Sequence, residues 1–491
     1  MYTLEPKGQI KLEMFRLPFS GKLDPENRWV KTAEIMPWDF IEDMYAESFK
    51  NKSAEGPKPI PARIAFGAIY LKEQEKLVDT STLDYIAENP YVQYFLGLEE
   101  FTTKRLFDPT MMVHFRIRFP ADVVEQVNEE IYRRQVLKQQ PPEDEPPESS
   151  PDGENRSENA SERNEEGCGN KGKLLLDATA APADIRYPTD LSLLNECRED
   201  TEKIIAEVWE RAGITGRRTQ YNPKVARRGY LKVAKQRKPK MKKIKQAVRE
   251  QLECVEKNLE TLDQFSQEEL NLYVPGKKVK QLEVIRIIAA QQREMVDTGN
   301  KSCNDRIVSV RQPHVRPIIR GKARAPVEFG QKLMFSVIDG YTFIDGQSWD
   351  NFNEGIMLEA SAEKYKERFG FYPEAILVDQ IYRNRENRAF CKKNGIRLSG
   401  PRLGRPKESE KEEDQALAYQ DSCERNGVES RNGIAKRRYG LDLVMATLDG
   451  TAKTEAALNV LAMNIAHLLR VLLRLFWGKM SRGCFCHLGV G

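Results

Sequence analysis

Apolar residues recur at helical spacing from about residue 36 to 134. Proline and polar breaks interrupt them at Gly56 to Pro61, Asn89-Pro90 and Asp108-Pro109. This pattern predicts an all-α N-terminal domain over 36–134. Further on, Leu174-Leu175-Leu176-Asp177 is a short apolar run closing on a carboxylate, the pattern of a buried strand. Helical spacing then returns from Leu191 to about Gln292, predicting a long helical insertion at about 191–310. Leu333 to Ile338 and Tyr341 to Ile344 flank Asp339-Gly340, a hairpin signal. A helix over Asn353 to Phe369 leads to Ala375-Ile376-Leu377-Val378-Asp379, a second buried run ending in Asp. A helix over Arg383 to Asn394, a short strand at Ile396 to Leu398 and a helix near Glu424 to Arg438 follow. Strand, hairpin, crossover helix, strand, helix, strand, helix is an α/β order with parallel pairing across the crossovers, and it sets a domain over 173–475.

Composition separates these two regions. Between Gln139 and Gly167 there are ten acidic residues, two basic residues and five prolines, and no Leu, Ile, Val, Phe, Tyr or Trp. Such a stretch buries too little apolar surface to offset its ordering entropy, so 139–167 is expected to be a disordered acidic linker. The 491-residue length accommodates two or three domains, and the eight scattered cysteines have no disulfide rhythm. The opening residues lack the pattern of a signal peptide, and a reducing cytoplasm is the expected location. The apolar stretch Leu458 to Trp477 is broken by Asn464, His467, Arg470 and Arg474, which predicts a buried or amphipathic helix and no membrane association. Residues 478–491 form an atypical tail.

Asp177 and Asp379 each end an apolar run, which places both at the carboxyl edge of a sheet, where open α/β sheets bind ligands. Taken singly, an Asp at a strand end is as readily a turn former. Glu429, on a following helix, completes a carboxylate set suited to Mg²⁺, with Mn²⁺ as the alternative. Two such ions activate an attacking water or 3′-hydroxyl and stabilise the leaving oxygen. Lys436 and Arg437 lie seven and eight residues after Glu429 on the same helical face, a position for phosphate-binding cations.

The surrounding residues narrow the choice. They are Leu174-Leu-Leu-Asp-Ala-Thr with Arg186-Tyr-Pro-Thr-Asp-Leu, Arg320-Gly-Lys with Glu328-Phe-Gly, Asp379-Gln-Ile-Tyr-Arg-Asn-Arg-Glu-Asn-Arg, Ser399-Gly-Pro-Arg-Leu-Gly-Arg-Pro, and Glu429 followed by Lys436-Arg-Arg-Tyr-Gly-Leu. Over about residues 36 to 475 the chain resembles the DDE transposases of bacterial insertion sequences. The resemblance implies a ribonuclease-H-like catalytic domain. It assigns the catalytic, metal-holding triad to Asp177, Asp379 and Glu429. It further implies that the N-terminal domain recognises the element's terminal inverted repeats, and that a homodimer or higher assembly works on paired ends and target DNA in the bacterial nucleoid. The alternatives from other classes are an inactive DNA-binding relic or repressor, and a metal-dependent endonuclease without strand transfer.

Charge distribution points to DNA independently of the net +4. From Arg217 to Arg249 there are 14 Lys and Arg and no Asp or Glu, with Tyr221 and Tyr230 interleaved. A run this one-sided is either a solvated helix face or a phosphate-binding surface. Arg217, Arg218, Arg227, Arg228, Lys232 and Lys235 are its candidate DNA contacts. Arg320 and Lys322, and Arg383 and Arg385 after Asp379, are further candidates beside the carboxylates. In the N-terminal domain, Asp108-Pro-Thr opens a segment with His114, Arg116 and Arg118, readable either as a major-groove helix or as a packed helix with two exposed arginines.

Overall fold

The computed structural model describes residues 10–49, 58–136, 169–319, 327–400 and 411–486. The linker at 139–167, Arg320, Lys322 and the last residues of the tail lie outside the described residues.

The N-terminal region contains α1 (Arg28–Ile35), α2 (Trp38–Glu47), α3 (Ala62–Glu75), α4 (Asp79–Glu88), α5 (Pro90–Phe95), α6 (Met111–Arg118) and α7 (Ala121–Gln135). Its helices begin ahead of the expected boundary at 36, because Asn27 caps α1 by accepting from the Trp29 amide at 2.9 Å. Asn89 does the same for α5, with Pro90 at the first helical position, where its missing N–H costs nothing.

The sheet is built around β1 (Lys173–Pro182). On one side it pairs antiparallel with β3 (Val327–Ile338), and on the other parallel with β5 (Ala375–Leu377), which pairs in parallel with β6 (Arg397–Leu398). The far edge of β3 takes β2 (Arg316–Ile319) along Val327–Gly330 and β4 (Tyr341–Ser348) along Lys332–Ile338, both antiparallel. The β3–β4 turn at Asp339-Gly340 has positive φ at both residues, 51° and 81°, the backbone of the tight hairpin its sequence predicts. The crossover is α13 (Leu358–Phe369), closed by Gly370 in the left-handed region. After β5 come α14 (Arg385–Lys393), capped by Asn384, then β6, α15 (Lys411–Tyr439) and α16 (Asp449–Cys486).

Between β1 and β2 stand α8 (Asp190–Arg211), α9 (Pro223–Ala234), α10 (Met241–Leu262), α11 (Gln267–Tyr273) and α12 (Gly276–Thr298). They bury Ile205, Val208, Leu252, Val255 and Ile285 in a core of their own. The insertion is thus a helical body fed by one strand and returned to the next.

The N-terminal helices do not form a separate core. Phe66, Phe95 and Phe115 belong to one continuous apolar cluster with Phe335 and Ile376 of the sheet, and α16 joins them through the fully buried Leu458, Leu461 and Ile465. Asn464 fastens the layers: it donates to Thr342 O at 2.7 Å and Asn128 Oδ1 at 2.9 Å, and accepts from the Thr342 amide at 3.0 Å. The stretch Asp449–Arg474 is long and apolar enough to cross a membrane, but 61% of its most apolar 18-residue window is buried inside the protein, as in a core helix.

Candidate active site

Asp177 does not end its strand. The sequence reading stops β1 at the carboxylate, whereas the strand runs on to Pro182 because Ala178 to Pro182 continue the ladder to β3. What ends near Asp177 is the parallel partner. The register pairs Leu175 with Leu377, so two residues further on Asp177 and Asp379 stand side by side just past the end of β5. Alternation along β1 buries Leu174 and Leu176 and turns Lys173, Leu175 and Asp177 to the opposite face.

That face is covered by α15. Lys173 holds the Glu424 carboxylate at 2.7 and 2.8 Å, Gly427 lies against Leu175, and Asn432 donates to Asp177 Oδ2 at 2.6 Å. Two-residue steps along the strand therefore match roughly one-turn steps along the helix, and the match delivers Glu429 to the same end of the sheet. Arg425 joins the remaining carboxylates: Nη1 is 2.6 Å from Asp379 Oδ1 and Nη2 is 3.2 Å from Glu429 Oε1. Asp379 and Glu429 are more than half exposed, so their oxygens open to solvent.

Asp177 is more enclosed. Burial pushes its carboxyl up to about 6, with further upward pressure from Glu354 and Asp379, against the Ala178 N–H bond and Arg425. Glu354 follows β4 in a short 3-10 turn and pairs with Lys332 of β3 at 2.9 Å. The same acids, after burial, raise the Tyr382 hydroxyl, which reaches Met334 Sδ at 3.5 Å.

The structure thus brings Asp177, Asp379 and Glu429 to one end of the sheet. Among the described residues no three His, Cys, Asp or Glu side chains converge as a ready metal-binding group. The donor chemistry nonetheless fits a hard divalent cation. The donors are oxygens, Asp177 ionises reluctantly among other acids, and Asn432 Oδ1 is buried beside it with no hydrogen-bond partner. Arg425 already occupies a cation's place between two of the carboxylates.

Sequence reasoning missed Glu354, Arg425 and Asn432. Only Arg425 carried a signal, standing one helical turn before Glu429.

The proposed DNA contacts divide. Arg217, Arg218, Arg227, Arg228, Lys232 and Lys235 are all exposed on and before α9, and among the described residues none of the fourteen cations of that run is in an ion pair. The interleaved tyrosines serve the fold instead: Tyr230 is buried and the Tyr221 hydroxyl donates to Glu202 at 2.7 Å. Arg385 and Arg437 are exposed. Lys436 lies half-buried, 3.8 Å from Glu328. Arg383 corrects its reading, because its guanidinium is engaged by the Leu398 and Ser399 carbonyls and ties down the chain after β6. In α6, Arg116 is buried against Asp79 at 2.8 and 3.0 Å and Arg118 stacks over Phe49, so this pair packs the fold and does not present a recognition surface.

Residues 376–466, which contain Asp379 and Glu429, match a family model described as a transposase DDE domain, and residues 18–118 match one described as a transposase domain (DUF772). Over 117 residues the chain is 26% identical to an uncharacterized protein, ORF8 in the nfe locus of Rhizobium meliloti, an alignment covering 24% of this chain and 55% of that protein. The chain therefore spans about half the length of this curated relative. No solved structure matches.

Proposed function

We propose that this chain, which belongs to the DDE transposases of insertion elements, nicks DNA at the ends of its element and joins the freed 3′-hydroxyl to target DNA. The observation that carries the reading is the pairing of Asp379 and Glu429 with Arg425 at the end of the sheet where Asp177 stands beside Asp379. The strand order supports a ribonuclease-H-like domain: three antiparallel strands, β4, β3 and β1, continue into parallel β5 and β6, with acids on the central strand and just after its parallel neighbour.

Asp177, Asp379 and Glu429 would hold two Mg²⁺ ions, with Mn²⁺ as a substitute. Bound there, the ions supply positive charge to the attacking and leaving oxygens of an in-line displacement at phosphorus. The protein's part is positioning. Asn432 fixes Asp177 by donating its amide N–H to Oδ2, and its own amide oxygen stays buried beside the carboxylate without a hydrogen-bond partner. Arg425 neutralises Asp379 and Glu429 before the substrate complex assembles. Lys332 pairs with Glu354, the neighbouring acid that presses most on Asp177. No side chain need act as a covalent nucleophile.

The exposed cations of α9 and α10 support binding to the DNA backbone, with salt-sensitive and largely sequence-independent affinity. Recognition of terminal inverted repeats falls to other surfaces of the chain, in a homodimer or higher assembly on paired ends in the bacterial nucleoid. The test is the product spectrum of the full chain with Mg²⁺ and DNA carrying the element's ends. Strand-joined products are expected. Cleavage without joining would make the protein an endonuclease, and binding alone would make it an inactive relic.

A further inference from the structure

On the face of β1 that carries Asp177, but toward the start of the strand, the groove between α15, α16 and the β3–β4 turn contains a cavity of about 540 Å³. Arg431 enters it from α15, and His467, Arg470 and Arg474 from one face of α16, at spacings of three and four residues. Arg431 Nη2 is 3.0 Å from His467 Nδ1, and Tyr341 packs edge-on against the imidazole. Burial, then the three arginines in turn, drive His467 down to about 4, so at neutral pH it is an uncharged acceptor for Arg431.

The acids lining the cavity are already engaged. Glu424 is held by Lys173 through both oxygens, and Asp339 accepts from the Tyr132 hydroxyl at 3.0 Å. Among the described residues no carboxylate pairs with Arg431, Arg470 or Arg474. Three guanidinium groups therefore face a shared space with charge in excess over Asp339. Like charges so arranged repel unless an anion sits among them, and guanidinium forks match phosphate oxygens.

We infer that this cavity is a subsite for a backbone phosphate of the DNA strand whose scissile phosphate lies at Asp177, an assignment that rests on the transposase reading above. Its position fits. Lys173 and Leu175 line the cavity, and Asp177 follows four and two residues later on the same face of β1, about 7–13 Å along the strand. A duplex strand advances about 3.4 Å per phosphate along its axis, so the held phosphate is about two to four nucleotides from the cleaved one. Arg431 stands two residues after Glu429 on α15, about 200° around the helix, so the carboxylate and the phosphate clamp sit on different flanks of α15. The Asp339-Gly340 turn leaves room for them, since a side chain at Gly340 would run into Arg431 and His467.

The test uses the full chain and a short duplex carrying the element's end, with a neutral methylphosphonate replacing one phosphate at a time around the cleaved bond. Wild-type protein is expected to lose about tenfold in affinity when the neutral linkage falls about two to four nucleotides from the cut. The Arg470→Gln/Arg474→Gln variant is expected to lose a similar factor on unmodified DNA and to lose nothing more at that linkage. Arg470→Lys/Arg474→Lys, which keeps the charges, restores the sensitivity and separates a lost contact from a damaged fold. A glutamine variant that stays as sensitive as wild type to the neutral linkage overturns the subsite while leaving the transposase reading intact. Wild-type protein that does not bind the duplex overturns both.

Discussion

Arg425 of α15 lies 2.6 Å from Asp379 at the end of β5, an ion pair that closes the mouth of the carboxylate cluster. A second guanidinium nitrogen reaches Glu429 at 3.2 Å. A cation entering between these acids must compete with it. Arg425→Gln is therefore expected to tighten apparent Mg²⁺ binding several-fold. Because both acids are more than half exposed, fold stability should change by less than about 1 kcal/mol. Thermal unfolding titrated with Mg²⁺ measures both. Unchanged Mg²⁺ affinity would show that Arg425 does not guard the cation site.

Asp177 makes the metal-free protein pH-sensitive. Its carboxyl is raised from 3.8 to about 6, so the folded state holds the proton more tightly than the unfolded chain. Stability from this group is greatest below about 3.8 and is lost as pH rises through about 6. Asp177→Asn, which mimics the neutral acid, is expected to stabilise the metal-free protein at pH above about 7 by about 1–3 kcal/mol. Urea unfolding across pH checks this, and the advantage should vanish in acid. The same variant should gain less stability from added Mg²⁺ than wild type does.

Asn464 links three layers through three hydrogen bonds to Asn128 and Thr342. Asn464→Leu would leave the buried Thr342 amide and Asn128 Oδ1 without partners, a loss of about 2–4 kcal/mol by denaturant unfolding. Because the N-terminal helices and the sheet share one core, both should unfold in the same transition.

Among the described residues Arg227 and Arg228 are exposed and in no ion pair, so Arg227→Gln/Arg228→Gln should leave the unfolding temperature unchanged while weakening DNA binding. Each lost phosphate contact lowers the slope of log affinity against log salt by about 0.9. A double variant whose slope matches wild type would remove α9 from the DNA-binding surface.

Much of this arrangement is legible in the sequence, for physical reasons that differ by element. The Asp339-Gly340 turn is plain because few dipeptides tolerate two positive φ values. The strand at Leu174 is plain because a buried strand needs an unbroken apolar run. Its end is not, since Ala178 to Pro182 carry no strand signal of their own and pair only because β3 lies alongside. The fusion of the N-terminal helices with the sheet is equally hidden, as it depends on α16 meeting partners hundreds of residues away. Arg116 and Arg383 look like DNA contacts as letters, and only their partners, Asp79 and the Ser399 carbonyl, reveal them as structural. Glu354 and Asn432 reach the carboxylates by tertiary placement alone, with no motif to announce them.

The measurement closest to the central claim compares wild type with Asp177→Ala, Asp379→Ala and Glu429→Ala in Mg²⁺-dependent cleavage and joining of DNA bearing the element's ends, with DNA binding followed in parallel. Wild-type protein should cut and join, while each variant binds DNA and does neither. A variant that binds and still cuts would remove its carboxylate from the site and contradict the triad.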